Sequence, residues 1–340
     1  MKRLFASLFA AGTLLAGAML APAQAAAPTD FYKGRTIFVI VGFTPGGGYD
    51  LYARLVAQHL GKHIPGNPAV VTQNMPGAGS LKAVNYLYAV APKDGTVIGT
   101  FGREQIVAPL FGQANFDAAK LSWLGSVTRE VSVCVSWYQS PIKSWNDAMT
   151  RQFTAGGSAA GADPDNFTRL YKNVFGANIR LATGFPGTSD ITLAMQRGEV
   201  DGLCGFSWST IKSHYASWLQ DKKINILIQA GTKRSPDLPN VPLATEFAKS
   251  PEQRQILDFV LGTQVTARPF AAPPGIPAER KAILRTAFDE TMKDPAFLAG
   301  AQKLQLEVNP VSGTEVDAVV ASLYATPKDV VTKAARALTR

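Results

Sequence analysis

A two-lobed α/β fold is predicted by three features of this 340-residue sequence. Short apolar runs alternate with amphipathic helical patterns, glycine turns stand between several of them, and the pattern restarts after about residue 150. Each lobe is expected to be a mainly parallel sheet flanked by helices. Runs at 37–41, 69–73, 96–101, 131–137, 152–155, 179–182, 200–204, 224–229 and 257–265 read as strands. Between them Leu51, Leu55, Val56 and Leu60 keep helical spacing, as do Leu81, Val84, Leu87 and Tyr88 until Pro92 ends that helix. Helical patterns follow at 166–174 and 191–197, and again at 278–293 and 327–338, where they read as structural cladding that packs on the first lobe and crosses back. The expected division is 26–130 with about 258–340 in lobe 1, and about 131–257 in lobe 2.

The N-terminus reads as a secretory signal over 1–25. Met1-Lys2-Arg3 precede a small, apolar stretch at 4–20, and Ala23-Gln24-Ala25 gives an A-x-A cleavage site, so an exported, periplasmic chain is expected. No later apolar run approaches the roughly 20 residues that span a bilayer. Removing Lys2 and Arg3 from the 34 basic residues leaves 32 against 25 acidic ones, a formal net charge of +7. The basic residues form no tract of the kind that binds nucleic acid, and a mild positive field suits small anions better. With only Cys134 and Cys204, a disulfide framework and a cysteine-rich zinc site are excluded. One bridge or two buried thiols both stay open.

Two glycine turns, Thr44-Pro45-Gly46-Gly47-Gly48-Tyr49-Asp50 and Asn74-Met75-Pro76-Gly77-Ala78-Gly79-Ser80, each join an apolar run to a helical one. Glycine lets backbone N–H groups turn inward, and a helix N-terminus adds free donors, which together make an anion cradle. Gly156-Gly157-Ser158-Ala159-Ala160-Gly161 and Gly184-Phe185-Pro186-Gly187-Thr188 repeat the device in the second half. Two lobes would thus offer four turns to one crevice.

Other chemistries fit less well. A dinucleotide fingerprint fails because Leu51 stands where the third glycine belongs and the second strand ends in Gln73-Asn74 without an acid, and no glycine turn carries the P-loop Lys-Ser/Thr. Ser158 lies one residue short of a G-x-S-x-G elbow, so an exported hydrolase using Ser158, Asp190 or Asp201, and His214 is one alternative. His59 and His63 have metal-ligand spacing, but Gly61 and Pro65 mark a fraying helix end. Asp50, four residues before Arg54, reads as a first-turn charge with an i, i+4 partner. Tyr49, Phe185, Phe206 and Trp208 fall at or after turns, and one or two of them are expected in the cleft.

These residues make the chain resemble the periplasmic solute-binding proteins of tripartite tricarboxylate transporters, the TctC or Bug family. The matching pieces are Gly42-Phe43-Thr44-Pro45-Gly46-Gly47 with Asp50 and Ala53-Arg54, Asn74 to Gly79, Ala91-Pro92-Lys93-Asp94-Gly95-Thr96, Gly187 to Asp201, Lys233 to Pro242, and Ala272 to Ala278. The resemblance implies a Venus-flytrap fold closing over a small carboxylate, with no enzymatic activity, cofactor or metal. It also implies delivery by a monomer to a large and a small membrane subunit. The implied ligand set is Thr44, Pro45, Gly46, Gly47, Gly48 and Tyr49, then Gly77, Ala78 and Gly79, and from the other lobe Gly157, Ser158, Ala159 and Gly161 with Phe185, Pro186, Gly187 and Thr188. Arg103 is the candidate for a second carboxylate, and Tyr49 and Trp208 would favour a flat acid. If the hinge arrangement holds, the Cys134 and Cys204 strands are neighbours, which favours a disulfide. Tyr49, Phe185 and the segment 204–208 depart from the commoner family pattern, so ligand identity is not carried over. A receptor serving a membrane sensor kinase is the other alternative.

Overall fold

The computed structural model describes residues 31–112 and 114–339, so the expected signal peptide lies outside the described residues. The first sheet contains β1 (Thr36–Val41), β2 (Ala69–Asn74), β3 (Val97–Thr100), β4 (Ser122–Ser126), β10 (Pro269–Ala272) and β11 (Val311–Ser312), in the order β11-β4-β10-β3-β1-β2. The second contains β5 (Ser132–Trp137), β6 (Phe153–Gly156), β7 (Ile179–Ala182), β8 (Gly202–Ser207) and β9 (Ile224–Ala230), in the order β7-β6-β8-β5-β9. The helices are α1 (Gly48–Leu60), α2 (Leu81–Ala89), α3 (Trp145–Thr150), α4 (Asp163–Phe175), α5 (Thr188–Gln196), α6 (Trp208–His214), α7 (Ala216–Gln220), α8 (Pro251–Gly262), α9 (Ala278–Lys293), α10 (Pro295–Lys303), α11 (Gly313–Tyr324) and α12 (Lys328–Thr339).

Both sheets are mixed rather than mainly parallel. β1 runs parallel to β2 and β3, and β6 to β7 and β8, as strand–helix–strand connections require. The remaining pairings, of β10 with β3 and β4, β11 with β4, and β5 with β8 and β9, are antiparallel. Their cause is the crossover: the chain passes from β4 into β5 with no intervening helix and later returns to β10. The two crossing segments lie side by side. Val127 N–H donates to Arg268 O (3.1 Å), Ala267 N–H to Thr128 O (3.1 Å) and Glu130 N–H to Gln264 O (2.9 Å).

The run at 257–265 is not a strand. It is the end of α8 and a 3-10 turn, Thr263–Thr266. Leu257, Phe259, Val260 and Leu261 are all buried around an exposed Asp258, a short apolar stretch that reads equally as either element. The start signal lay upstream, where Ser250 caps the helix by accepting from Gln253 N–H (3.2 Å) and Pro251 fills its first turn. β4, β10 and β11 were not foreseen. The C-terminal region reaches beyond the first lobe, and α12 packs on α4 beside the second sheet. There Asn173 Nδ2 donates to Ala337 O (2.8 Å) and Arg169 Nη1 to Leu338 O (3.4 Å). Cys134 on β5 and Cys204 on β8 are joined by a disulfide, with Cα atoms 3.8 Å apart.

Candidate functional site

A cavity of about 440 Å³ opens between the two sheets, where β3 and β6 end. Ala78 and Gly79 of the second turn form part of its wall, and Ala159 and Gly161 of the third turn form another. The 3-10 turn after β3 adds Glu104 and Gln105, and the first turns of α4 add Asp163 and Asn166. The end of α12 contributes Leu338 and Thr339. Four of the expected residues are therefore brought together, and the others are placed elsewhere for identifiable reasons.

Asp50 organises the first turn from within. Buried at the third position of α1, it accepts from Gly46 N–H (2.8 Å), Arg54 Nε (2.8 Å) and Asn74 Nδ2 (2.8 Å), and the same Asn74 amide also donates to Phe43 O (2.9 Å). Burial pushes its carboxyl upward, but the bonds from Arg54, Gly46 and Asn74 outweigh that and hold it below its ordinary value. The Gly46 N–H expected to face a ligand is thereby taken. Thr44, Pro45, Gly46 and Gly47 lie exposed, and none of residues 44–49 lines the cavity.

Tyr49 is likewise an internal residue. Its ring stacks on Phe43 (centroids 4.4 Å apart), the Arg268 guanidinium sits 4.5 Å from its centroid, and its hydroxyl accepts from Arg103 N–H (3.3 Å). Burial pushes the phenol up to about 12. Arg103 is 1 % exposed, and it donates to Ser132 Oγ (3.0 Å) and pairs with Asp163, so its guanidinium is already engaged by an internal carboxylate. Since Arg103 follows β3 and Asp163 begins α4, that pair crosses from one lobe to the other.

The second lobe repeats the logic. Asp165 accepts from Ser158 N–H (2.6 Å) and Thr183 Oγ1 (2.9 Å), which turns the third loop inward on its own helix. Gly77, Gly157, Ser158 and the fourth turn, Phe185, Pro186, Gly187 and Thr188, stand off the cavity wall. Trp208 is buried in the second lobe, where its Nε1 donates to Asp237 (3.0 Å). Thus neither aromatic expected to select a flat acid reaches the cavity. No triad is assembled around Ser158: His214 Nδ1 is hydrogen-bonded to Ser213 (2.9 Å), and Asp201 accepts from Ser140 (3.0 Å) and Thr154 N–H (2.8 Å). His59 and His63 gather on Asp294 with Lys62, whose ammonium opposes any cation there, and no metal-ligand cluster is found among the described residues.

Sequence reasoning missed Glu104, Gln105, Asp163 and Arg268. A signal was available in Arg103-Glu104-Gln105, a polar triplet directly after a strand that ends at the crevice. Gly102 makes room for it, since a Cβ there would lie 1.8 Å from Glu104 Oε1.

The profile of the tripartite tricarboxylate transporter family receptor, TctC, matches residues 52–335. The chain belongs to this family. Among curated relatives of this TctC-family receptor, the UPF0065 protein in the gbd 5' region of Cupriavidus necator is 25% identical over 304 residues, covering 88% of this chain and 86% of that protein. The periplasmic binding protein BugD superposes with a TM-score of 0.69 at 20% identity, covering 89% of this chain and 98% of that one. MatC from Rhodopseudomonas palustris with bound malate gives 0.66 at 20% identity, covering 88% and 99%, and a second R. palustris protein with adipate gives 0.64 at 21%, covering 89% and 98%. This TctC-family chain is therefore a receptor rather than an enzyme, with the two-lobed fold of its periplasmic binding protein neighbours. Among its described residues no helix is long and apolar enough to cross a membrane.

Proposed function

We propose that this receptor captures a small organic acid through a carboxylate and delivers it, as a monomer, to a large and a small membrane subunit of a tripartite tricarboxylate-type transporter. Export by a signal over 1–25, cleaved after Ala25, belongs to the same proposal, as do lobe boundaries near 131 and 258. The observation that carries it is the interlobe cavity walled by the second and third glycine turns, which follow strands of the two different sheets. Backbone N–H groups in such a cleft form charge-assisted hydrogen bonds worth about 1.5–3 kcal/mol each. The hydrogen-bonded segments at 127–130 and 264–268 act as the hinge. Ligand selects the closed form by its differential affinity for it.

Thermal unfolding against aliphatic mono-, di- and tricarboxylates, aromatic acids and amino acids tests the reading. Ligand at about 100 times its dissociation constant adds about 2.7 kcal/mol, so one acid class raises the melting temperature selectively. A silent panel, on protein freed of co-purified ligand, would remove the carboxylate assignment. Capture of a sensor kinase instead of the two transporter subunits from solubilised membranes would replace transport by signalling.

A further inference from the structure

The cavity wall carries more acceptors than a simple acid requires. Gln105 is 6 % exposed, and its Nε2 donates to Gly79 O (2.9 Å), which fixes the amide and leaves Oε1 buried without a partner among the described residues. Glu104 lies beside it on the wall. The neighbouring Arg103 directs its Nη2 to Asp163 and Ser132, and Glu104 forms no ion pair among the described residues. Further along, the lining turns apolar, with Leu81, Val107, Phe111, Phe167 and Val260.

A second ligand carboxylate at this end would lie beside the Asp163 charge and leave the Gln105 oxygen unsatisfied. An ammonium group reverses both effects, because it supplies three N–H donors and a positive charge. We propose that the ligand is a zwitterion, an amino acid with an apolar side chain, whose ammonium donates to Glu104 and Gln105 Oε1 while the side chain lies against Val107, Phe111 and Val260. This rests on the carboxylate-receptor reading and narrows it. The volume of about 440 Å³ leaves room for such a side chain.

The arrangement has a protonic consequence. Burial, and after it the charge of Asp163, pushes the Glu104 carboxyl up to about 8, so at pH 7 it holds a proton. The charged and titratable groups around it are Arg103 on the same turn, Asp163 and Arg169 from α4, and Tyr49 from the first turn. An arriving ammonium favours the carboxylate, so binding at pH 7 releases the Glu104 proton. At pH 9 Glu104 is already ionised, and the partly unprotonated ligand amine takes up a proton on binding.

Isothermal titration calorimetry of the purified chain, unfolded and refolded to remove carried-over ligand, decides the matter. The probes are leucine, phenylalanine, their desamino counterparts 4-methylpentanoate and 3-phenylpropanoate, malate and adipate, each in two buffers of different ionisation enthalpy. Leucine or phenylalanine should bind at least about tenfold more tightly than its desamino counterpart, with proton release at pH 7 that gives way to uptake at pH 9. Glu104→Gln should remove most of that difference by weakening the amine-bearing acid alone. The wild-type comparison and the proton count stand even if that variant folds poorly. Tighter binding of malate, adipate or the desamino acids, without proton release, overturns the zwitterion assignment and leaves the carboxylate receptor standing. Silence with all six probes overturns the assignment, and silence across the wider acid panel removes the receptor reading with it.

Discussion

Asp50 shows how one buried carboxylate fixes a loop that exposed glycines alone would leave loose. It joins the first turn, through Gly46 N–H, to the end of β2, through Asn74. Asp50→Asn keeps the shape but removes the charge and turns one acceptor into a donor facing Gly46 N–H or Asn74. A cost of about 2–4 kcal/mol is expected in chemical denaturation, in the range for buried hydrogen-bonded charges whose partners are stranded. The pH dependence has a definite sign. Because the folded-state carboxyl is held below its ordinary 3.8, its contribution is complete above about pH 4 and is lost as pH falls through the folded value. The melting temperature of the wild type should therefore fall more steeply below pH 4 than that of Asp50→Asn.

At the scale of elements, the disulfide between β5 and β8 closes a chain separation of 70 residues inside the second sheet. Loop-closure entropy for that length corresponds to about 4 kcal/mol, so the double variant Cys134→Ala, Cys204→Ala should lose about 2–5 kcal/mol, and dithiothreitol should lower the melting temperature of the wild type alone. The elements also show what a linear reading can reach. The helix at 278–293 and the strand runs near 37–41 and 179–182 were legible because their periodicity or apolar content is local. β10 was hidden because it opens on Pro269, which is tolerated as a first strand residue but reads as a break, and β4 because Ser122-Trp123-Leu124-Gly125-Ser126 has only two apolar side chains between serines and a glycine. The glycine turns were equally visible. What could not be read was which of their N–H groups are consumed internally, since Asp50 and Asp165 reveal that only once the helices are in place. Nor could the meeting of Arg103 with Asp163, 60 residues apart, be read before the lobes were assembled.

Across the whole molecule, the ion pairs Lys212–Glu307 and Arg103–Asp163 both reach from one lobe to the other, and their surroundings give them unequal weight. Lys212 on α6 reaches Glu307 (2.8 Å), which follows α10, but both side chains are more than one-third exposed or nearly so (34% and 38%). Such a pair is worth about 0–1 kcal/mol and is screened by salt, so Lys212→Met should change ligand affinity by less than about fivefold. The Arg103 side chain is buried and that of Asp163 is 23% exposed, which places their pair in the cleft itself. Asp163→Asn leaves the buried guanidinium without its counter-charge, and breaking a buried pair costs about 3 kcal/mol or more. That penalty falls on the closed arrangement, because opening lets water reach Arg103. The closed fraction, and with it the apparent affinity for any acid whose binding needs closure, should then drop by about a hundredfold. Small-angle scattering should show a larger radius of gyration for Asp163→Asn and an unchanged one for Lys212→Met. Equal affinity losses in the two variants, or an unchanged radius in the first, would mean that closure does not depend on the charge pair inside the cleft.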